Sequence, residues 1–144
     1  MESFTELGMI YSKIKIEDQK RVPHYVHAFI THLMSSTNYK DHDILMASCV
    51  CREDQLKEMS NYIDYKVKDI VDDPNHIVLI TGDFNINSLK DSEDFKEHVL
   101  SYNELNHEFL KYSEEEYEHL IRILEKNKKG SITDLVKDHH GEHS

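Results

Sequence analysis

The chain has no run of about eighteen apolar residues, so it offers no candidate transmembrane helix. Its start, Met1-Glu2-Ser3-Phe4-Thr5-Glu6, lacks a basic stretch and an apolar signal core. That leaves a cytoplasmic location as the default expectation, or a reading start that is not the true start of the domain. Cysteine is scarce. Cys49 and Cys51 are the only two, one residue apart, which excludes a disulfide framework. With His42 they could form half a metal site, but no second ligand pair accompanies them. The plainer reading is small thiols near a helix start. Basic residues are also short: 17 Lys and Arg stand against 28 Asp and Glu, for a net charge of −11. Most nucleic-acid affinity comes from cations neutralising phosphates, so this balance argues against long DNA or RNA as partner. A small or lipid phosphodiester is penalised less, and a bound divalent cation would offset the local charge. There is no internal repeat and no low-complexity linker.

What is present suits one domain of 144 residues with one core. Gly8 to Ile16 alternates, with Ile10, Ile14 and Ile16 on one face, which predicts a half-buried strand. Asp18 to Pro23 is polar and predicts a turn. Tyr25 to Thr31 is β-rich, with Val26, Ala28 and Ile30 as its inward face, and pairs with the first strand as a hairpin. Met34 to Met46 reads as a loop. From about Cys49, Leu56, Met59, Ile63, Val67 and Ile70 recur at helical spacing. Asp72-Asp73-Pro74-Asn75 ends that helix. Ile77-Val78-Leu79-Ile80 is a continuous apolar run, which predicts a central strand buried on both faces. Ser88 to Asp91 offers helix starts, and Phe95, Val99 and Leu100 an apolar side. Ser113-Glu114-Glu115-Glu116 reads as a helix N-terminus, with Ser as cap and acidic residues toward the positive end of the dipole. Its apolar face is Tyr117, Leu120, Ile121 and Leu124, and it runs to about Asn127. Ile132, Leu135 and Val136 form a last apolar turn, and residues 139–144 a polar, His-rich tail. The class is α/β (α+β), with a thin sheet for so much helix.

Two places carry chemistry. After the apolar run comes Thr81-Gly82-Asp83-Phe84-Asn85. Gly82 permits a tight turn. In extended geometry Asp83 and Asn85 point the same way and Phe84 the other. A carboxylate can hold or deprotonate a water, or coordinate a hard cation. An amide can donate to a phosphoryl oxygen without adding charge. An Asx-rich turn that merely ends a strand is the plain alternative. His32 is the second place. It continues the Val26, Ala28, Ile30 face and is either structural or a donor to a phosphate oxygen or leaving group.

These residues, in this order, resemble the endonuclease/exonuclease/phosphatase superfamily. Val78-Leu79-Ile80-Thr81-Gly82-Asp83-Phe84-Asn85 is similar to its Gly-Asp-Phe-Asn signature. Ala28-Phe29-Ile30-Thr31-His32-Leu33 is similar to its Thr-His-Leu strand, and Arg52-x-x-Gln55-Leu56 to the helix between the two. Gly8-Met9-Ile10-Tyr11-Ser12-Lys13-Ile14 resembles the preceding strand. The likeness covers about Phe4 to Leu89 and is greatest to the neutral sphingomyelinase branch. It implies a layered αββα sandwich of the DNase I-like type, of which residues 1–138 would be a partial domain. It implies magnesium-dependent attack of water on a phosphodiester. By position, Asp83 would be the metal-proximal residue that orients or deprotonates the water. Asn85 would orient the phosphate, and His32 would stabilise the transition state or assist the leaving group.

The chain departs from the family pattern at both ends. The family's Asn and metal-binding Glu come from strands that would precede Gly8, and Glu2 and Glu6 have no matching context. Asp138-His139 has the letters of the closing Asp-His pair but no strand before it. Met34 stands where the sphingomyelinase branch has Gln. The expectation is therefore an incomplete, inactive slice of a phosphodiesterase. The alternatives are a non-catalytic interaction protein of the same fold, whose exposed sheet edges a partner covers, or a nuclease of the same superfamily.

Overall fold

The computed structural model describes residues 8–36, 38–70, 72–86, 93–125 and 133. Its class is mixed α and β: a three-stranded sheet and three α-helices. Strand β1 (Met9–Glu17) and strand β2 (Pro23–His32) form the antiparallel hairpin that the alternation predicts. Its turn is set by Asp18, whose Oδ1 accepts from the backbone N–H of Lys20 and of Val22, both at 2.8 Å. Those bonds, the one from Val22 foremost, hold the Asp18 carboxyl below its usual range.

Helix α1 (His42–Val67) starts well before Cys49. The signal lies at Asp41, whose carboxylate accepts from the N–H of Asp43 at 3.1 Å and Ile44 at 3.2 Å. An N-cap satisfies otherwise orphaned donors, so the polar stretch read as loop supplies the first turns of the helix. From α1 the chain returns through a turn to strand β3 (His76–Asp83), which pairs parallel with β2. The order is β1-β2-β3. Strand β3 is thus an edge, not the central strand its apolar run predicts, and β2 occupies the centre.

Helix α2 (Glu93–Tyr102) is followed by a 3-10 turn at Glu104–Asn106 and helix α3 (His107–Glu125). Ser113 does not cap α3. It is buried in mid-helix, because Asn103 caps the preceding turn by accepting from Leu105 N–H at 3.0 Å and the chain runs on helically from there. The predicted helix start at Ser88 to Asp91, the apolar turn at Ile132, Leu135 and Val136, and the polar tail with Asp138-His139 lie outside the described residues.

Register decides which face of the sheet is covered. Phe29 pairs with Tyr11 and with Ile80, and residues paired in register share a face. That face meets the helices: Phe29 and Leu33 are buried with Leu56, Met59 and Ile63 of α1 and with Leu120, Ile123 and Leu124 of α3. A second cluster joins Leu45 and Cys49 of α1 to Val99, Phe109 and Leu110. The other face is the surprise. Ile10, Ile14 and Ile16, the aliphatic face of β1, stand exposed beside Ile30, Ile77 and Leu79, with Ile10 at 66% and Ile77 at 55%. Alternation tells which residues share a face but not which face is buried. Here the face with Tyr11, His27 and Phe29 is the covered one. Among the described residues, helices lie on one side of the sheet only.

On the covered side sits a polar chain that sequence reading missed. Tyr11 Oη lies 2.9 Å from His27 Nδ1, and His27 Nε2 lies 2.8 Å from His76 Nδ1. The His76 ring stacks on Tyr25, with His76 Nε2 3.8 Å from an Asp73 carboxylate oxygen. His27 is buried. Burial, then the neighbouring His76 and Lys13, lower its pKa from the ordinary histidine value.

Candidate active site

Strands β2 and β3 run parallel and end together, with His32 paired to Asp83 in register. Both side chains therefore point from the same, open face, at the carboxyl ends of the strands. Such ends are where ligands bind in open α/β sheets. His32 Nε2 stands 3.8 Å from Asp83 Oδ2. That separation exceeds a hydrogen bond. Both groups are exposed, so each faces solvent as well as the other.

Gly82 makes this approach feasible. Its φ is +132°, and a Cβ there would lie 1.8 Å from the Thr31 carbonyl oxygen. Any side chain would separate β2 from β3. Past Gly82 the strands remain tied by Leu33 N–H donating to the Asp83 carbonyl at 2.9 Å.

Asn85 does not continue the strand. It adopts a left-handed φ of 52°, a conformation Asn tolerates better than most residues. Its N–H donates to Asp83 Oδ1 at 2.9 Å, and its Nδ2 donates to the Leu33 carbonyl at 2.8 Å. Asp83 and Asn85 are therefore not presented side by side as extended geometry predicts. Strand β3 stops at Asp83, and the Asn85 amide latches the loop to the end of β2. Phe84 and Ile86 pack against the core.

The Arg52-x-x-Gln55 pair of α1 grips the segment after His32. Gln55 Oε1 accepts from Met34 N–H at 2.9 Å. Arg52 Nη1 donates to the Met34 carbonyl at 3.0 Å and to Ser36 Oγ. Both residues hold Met34 by its backbone, and its side chain is exposed. Arg52, 1% exposed, also makes a bidentate pair with Glu116, 5% exposed, at 2.7 and 3.1 Å. Glu116 thus lies within α3 as a buried partner of Arg52, not in the acidic first turn that the sequence predicts. Hydrogen bonding to Glu116 raises the Arg52 pKa against the opposing effect of burial. Burial pushes the Cys49 thiol up, and Arg52 Nη2 donates to its Sγ at 3.3 Å. Cys49 is thus packing material beneath the arginine. His42 points elsewhere, with Nε2 3.5 Å from Glu108, and among the described residues no metal-ligand group forms around the Cys-x-Cys pair.

Between the Asp83 loop and this ion pair lies a cavity of about 560 Å³, walled by Ser36, Tyr39, Arg52, Asp83, Asn85 and Glu116 among others. Its size is that of a small-molecule pocket. His32, on the open face, is not in its wall. Asp83 belongs to both settings. Among the described residues no group of three or more His, Cys, Asp or Glu side chains converges as a metal site. Asp83 alone is a small protein share for magnesium, which takes one or two carboxylates and fills its octahedron with water and phosphate oxygens.

Comparison with protein-family models, with curated proteins and with solved structures finds no match.

Proposed function

We propose that the His32–Asp83 pair is part of the site of a metal-dependent phosphodiester hydrolase, most like sphingomyelin phosphodiesterase. One observation carries the reading: a histidine and a carboxylate stand in register on one face, at the carboxyl ends of two parallel strands. Their 3.8 Å spacing is longer than a hydrogen bond and leaves room for both to meet a third group. Asp83 Oδ1 is used by Asn85 N–H, which leaves Oδ2 to hold a water or a cation. His32 Nε2 donates to a phosphoryl oxygen and steadies the charge that develops there. Asn85 acts by fixing the loop. Bound at Asp83, magnesium would neutralise charge on the phosphoryl group.

The αββα sandwich belongs to the same proposal. Helices cover one face of the sheet, and a second sheet layer on the open aliphatic face would complete it. The substrate in this reading is a phosphodiester such as a lipid head group, because the −11 charge opposes long nucleic acid. The site also lacks, among the described residues, a second free carboxylate for the metal, so this chain alone is expected to be catalytically inert.

The test is hydrolysis of bis(p-nitrophenyl) phosphate and of sphingomyelin vesicles with magnesium. The purified chain should not exceed background. Turnover lost in Asp83→Asn but not in Glu125→Gln would contradict the incomplete site while keeping Asp83 in it. Turnover indifferent to both His32→Ala and Asp83→Asn would remove the site altogether. The exposed aliphatic face favours a second reading, a non-catalytic interaction protein of this fold.

A further inference from the structure

The cavity of about 560 Å³ above the Arg52–Glu116 pair is not used by the chemistry proposed for His32 and Asp83, and His32 is not in its wall. The hydrogen bonds of its floor can be counted. Arg52 has five N–H donors. Nε donates to Glu116 Oε1, Nη1 to the Met34 carbonyl and Ser36 Oγ, and Nη2 to Glu116 Oε2 and Cys49 Sγ. All five are spent inside the protein. Ser48 Oγ donates to the Leu45 carbonyl at 2.6 Å, so Ser36 supplies the proton in the 2.9 Å bond between the two serines. Ser36 is spent as a donor too.

Acceptors remain. Each Glu116 oxygen takes one hydrogen bond from Arg52, and a carboxylate oxygen has two lone pairs. Ser113 stands one turn before Glu116 on the same side of α3, also in the cavity wall. It is 8% exposed, and its hydroxyl has no hydrogen-bond partner among the described residues. Charge points the same way. Arg52 cancels Glu116, which leaves Asp83 as the uncompensated charge of the wall. A chain of net charge −11 draws cations toward it and repels anions. Much of the remaining wall is apolar: Tyr39, Phe84, Ile86, Phe95 and Phe109, with the Tyr39 and Phe109 ring centroids 6.1 Å apart.

We propose that this cavity binds a small organic amine as its ammonium ion, with the N–H groups toward Glu116 and Ser113 and an apolar body among the rings. A primary ammonium carries three donors and no acceptor, the complement of a floor whose donors are spent. Aromatic faces attract the same cation. A neutral alcohol of equal shape gains neither the charge nor the extra donors. A quaternary ammonium has no N–H to give to Glu116. This binding is independent of the phosphodiester reading, which rests on the His32–Asp83 pair.

NMR titration of the isotope-labelled full chain near neutral pH tests this, with 2-phenylethylamine, its N-trimethylated analogue, 2-phenylethanol and 3-phenylpropionate as probes. Expected for the amine is a dissociation constant on the order of 1 mM, with backbone shifts at Tyr39, Ser113 and Glu116. The alcohol and the trimethylated analogue should each bind more than about tenfold more weakly, and the carboxylate not at all. Arg52→Met with Glu116→Leu removes the acceptors while keeping the layer packed, so amine and alcohol should bind that variant alike. Ser113→Leu fills the cavity and should abolish binding, with circular dichroism reporting whether each variant is folded. The selectivity among probes is read on the wild-type chain and needs no variant. Equal binding of amine and alcohol overturns the proposal. So does tighter binding of the carboxylate, shifts confined to residues outside the cavity wall, an amine preference that survives in the double variant, or no shift up to about 20 mM amine.

Discussion

Gly82 shows how one residue can carry the site. Its backbone passes so near Thr31 that a methyl group would overlap the carbonyl oxygen. Gly82→Ala should cost more than about 3 kcal/mol, read from the urea midpoint, because the register His32 to Asp83 cannot be kept. Full retention of stability would show that the strands separate without penalty. Glu116 is a second such residue. Removing it leaves the Arg52 guanidinium buried and unpaired. Glu116→Ala should destabilise by about 3–5 kcal/mol, while Arg52→Met with Glu116→Leu should recover much of the loss. Equal losses in both variants would contradict the ion-pair account. At this scale the sequence told which polar residues stand at the strand ends but not their partners. Asp83 and Asn85 are two apart, yet a single left-handed φ at Asn85 turns them to different tasks. Nothing in the spacing foretells that.

Elements were more legible where period and capping agreed. The β1–β2 alternation specified a hairpin, and a hairpin is there. Helix α1 was found by its apolar stripe but begun too late, because its first turns rest on Asp41 and not on an apolar repeat. Asp41→Ala should lower stability by about 1 kcal/mol, measured by thermal or urea unfolding. Strand β3 was misplaced because a run of aliphatics reads as burial on both faces, and only pairing shows that it ends the sheet. The buried His27 of β2, against Tyr11 of β1 and His76 of β3, leads to a pH prediction. Folded His27 has a pKa below the ordinary value near 6.5, so the unfolded chain binds the proton more readily. Its contribution to stability is full above that value and is lost as pH falls through the lower folded one. Urea midpoints should therefore drop between about pH 7.5 and 5.5, and His27→Gln should flatten that drop. An unchanged slope in the variant would assign the response to other histidines.

For the whole molecule, the faces of the sheet matter more than its strands. Among the described residues this sheet buries one face against helices and leaves aliphatic side chains on the other exposed. Sequence reading had the aliphatic stripes right and their direction reversed. Which stripe meets the helices was decided by Phe29, Tyr11 and the His27–His76 pair, a mixture of aromatic and polar residues without a hydrophobic signature. The open stripe ends at the His32–Asp83 pair, which lies on that same face. The central claim is that these two side chains receive a phosphodiester together. The most direct measurement follows the His32 ring signal by NMR, assigned with His32→Gln, during titration with dimethyl phosphate in the presence and absence of magnesium. The account predicts that the His32 signal moves with dimethyl phosphate, and that magnesium tightens the response in the wild-type chain but not in Asp83→Asn. A His32 signal that stays still, or a response identical in Asp83→Asn, would contradict it.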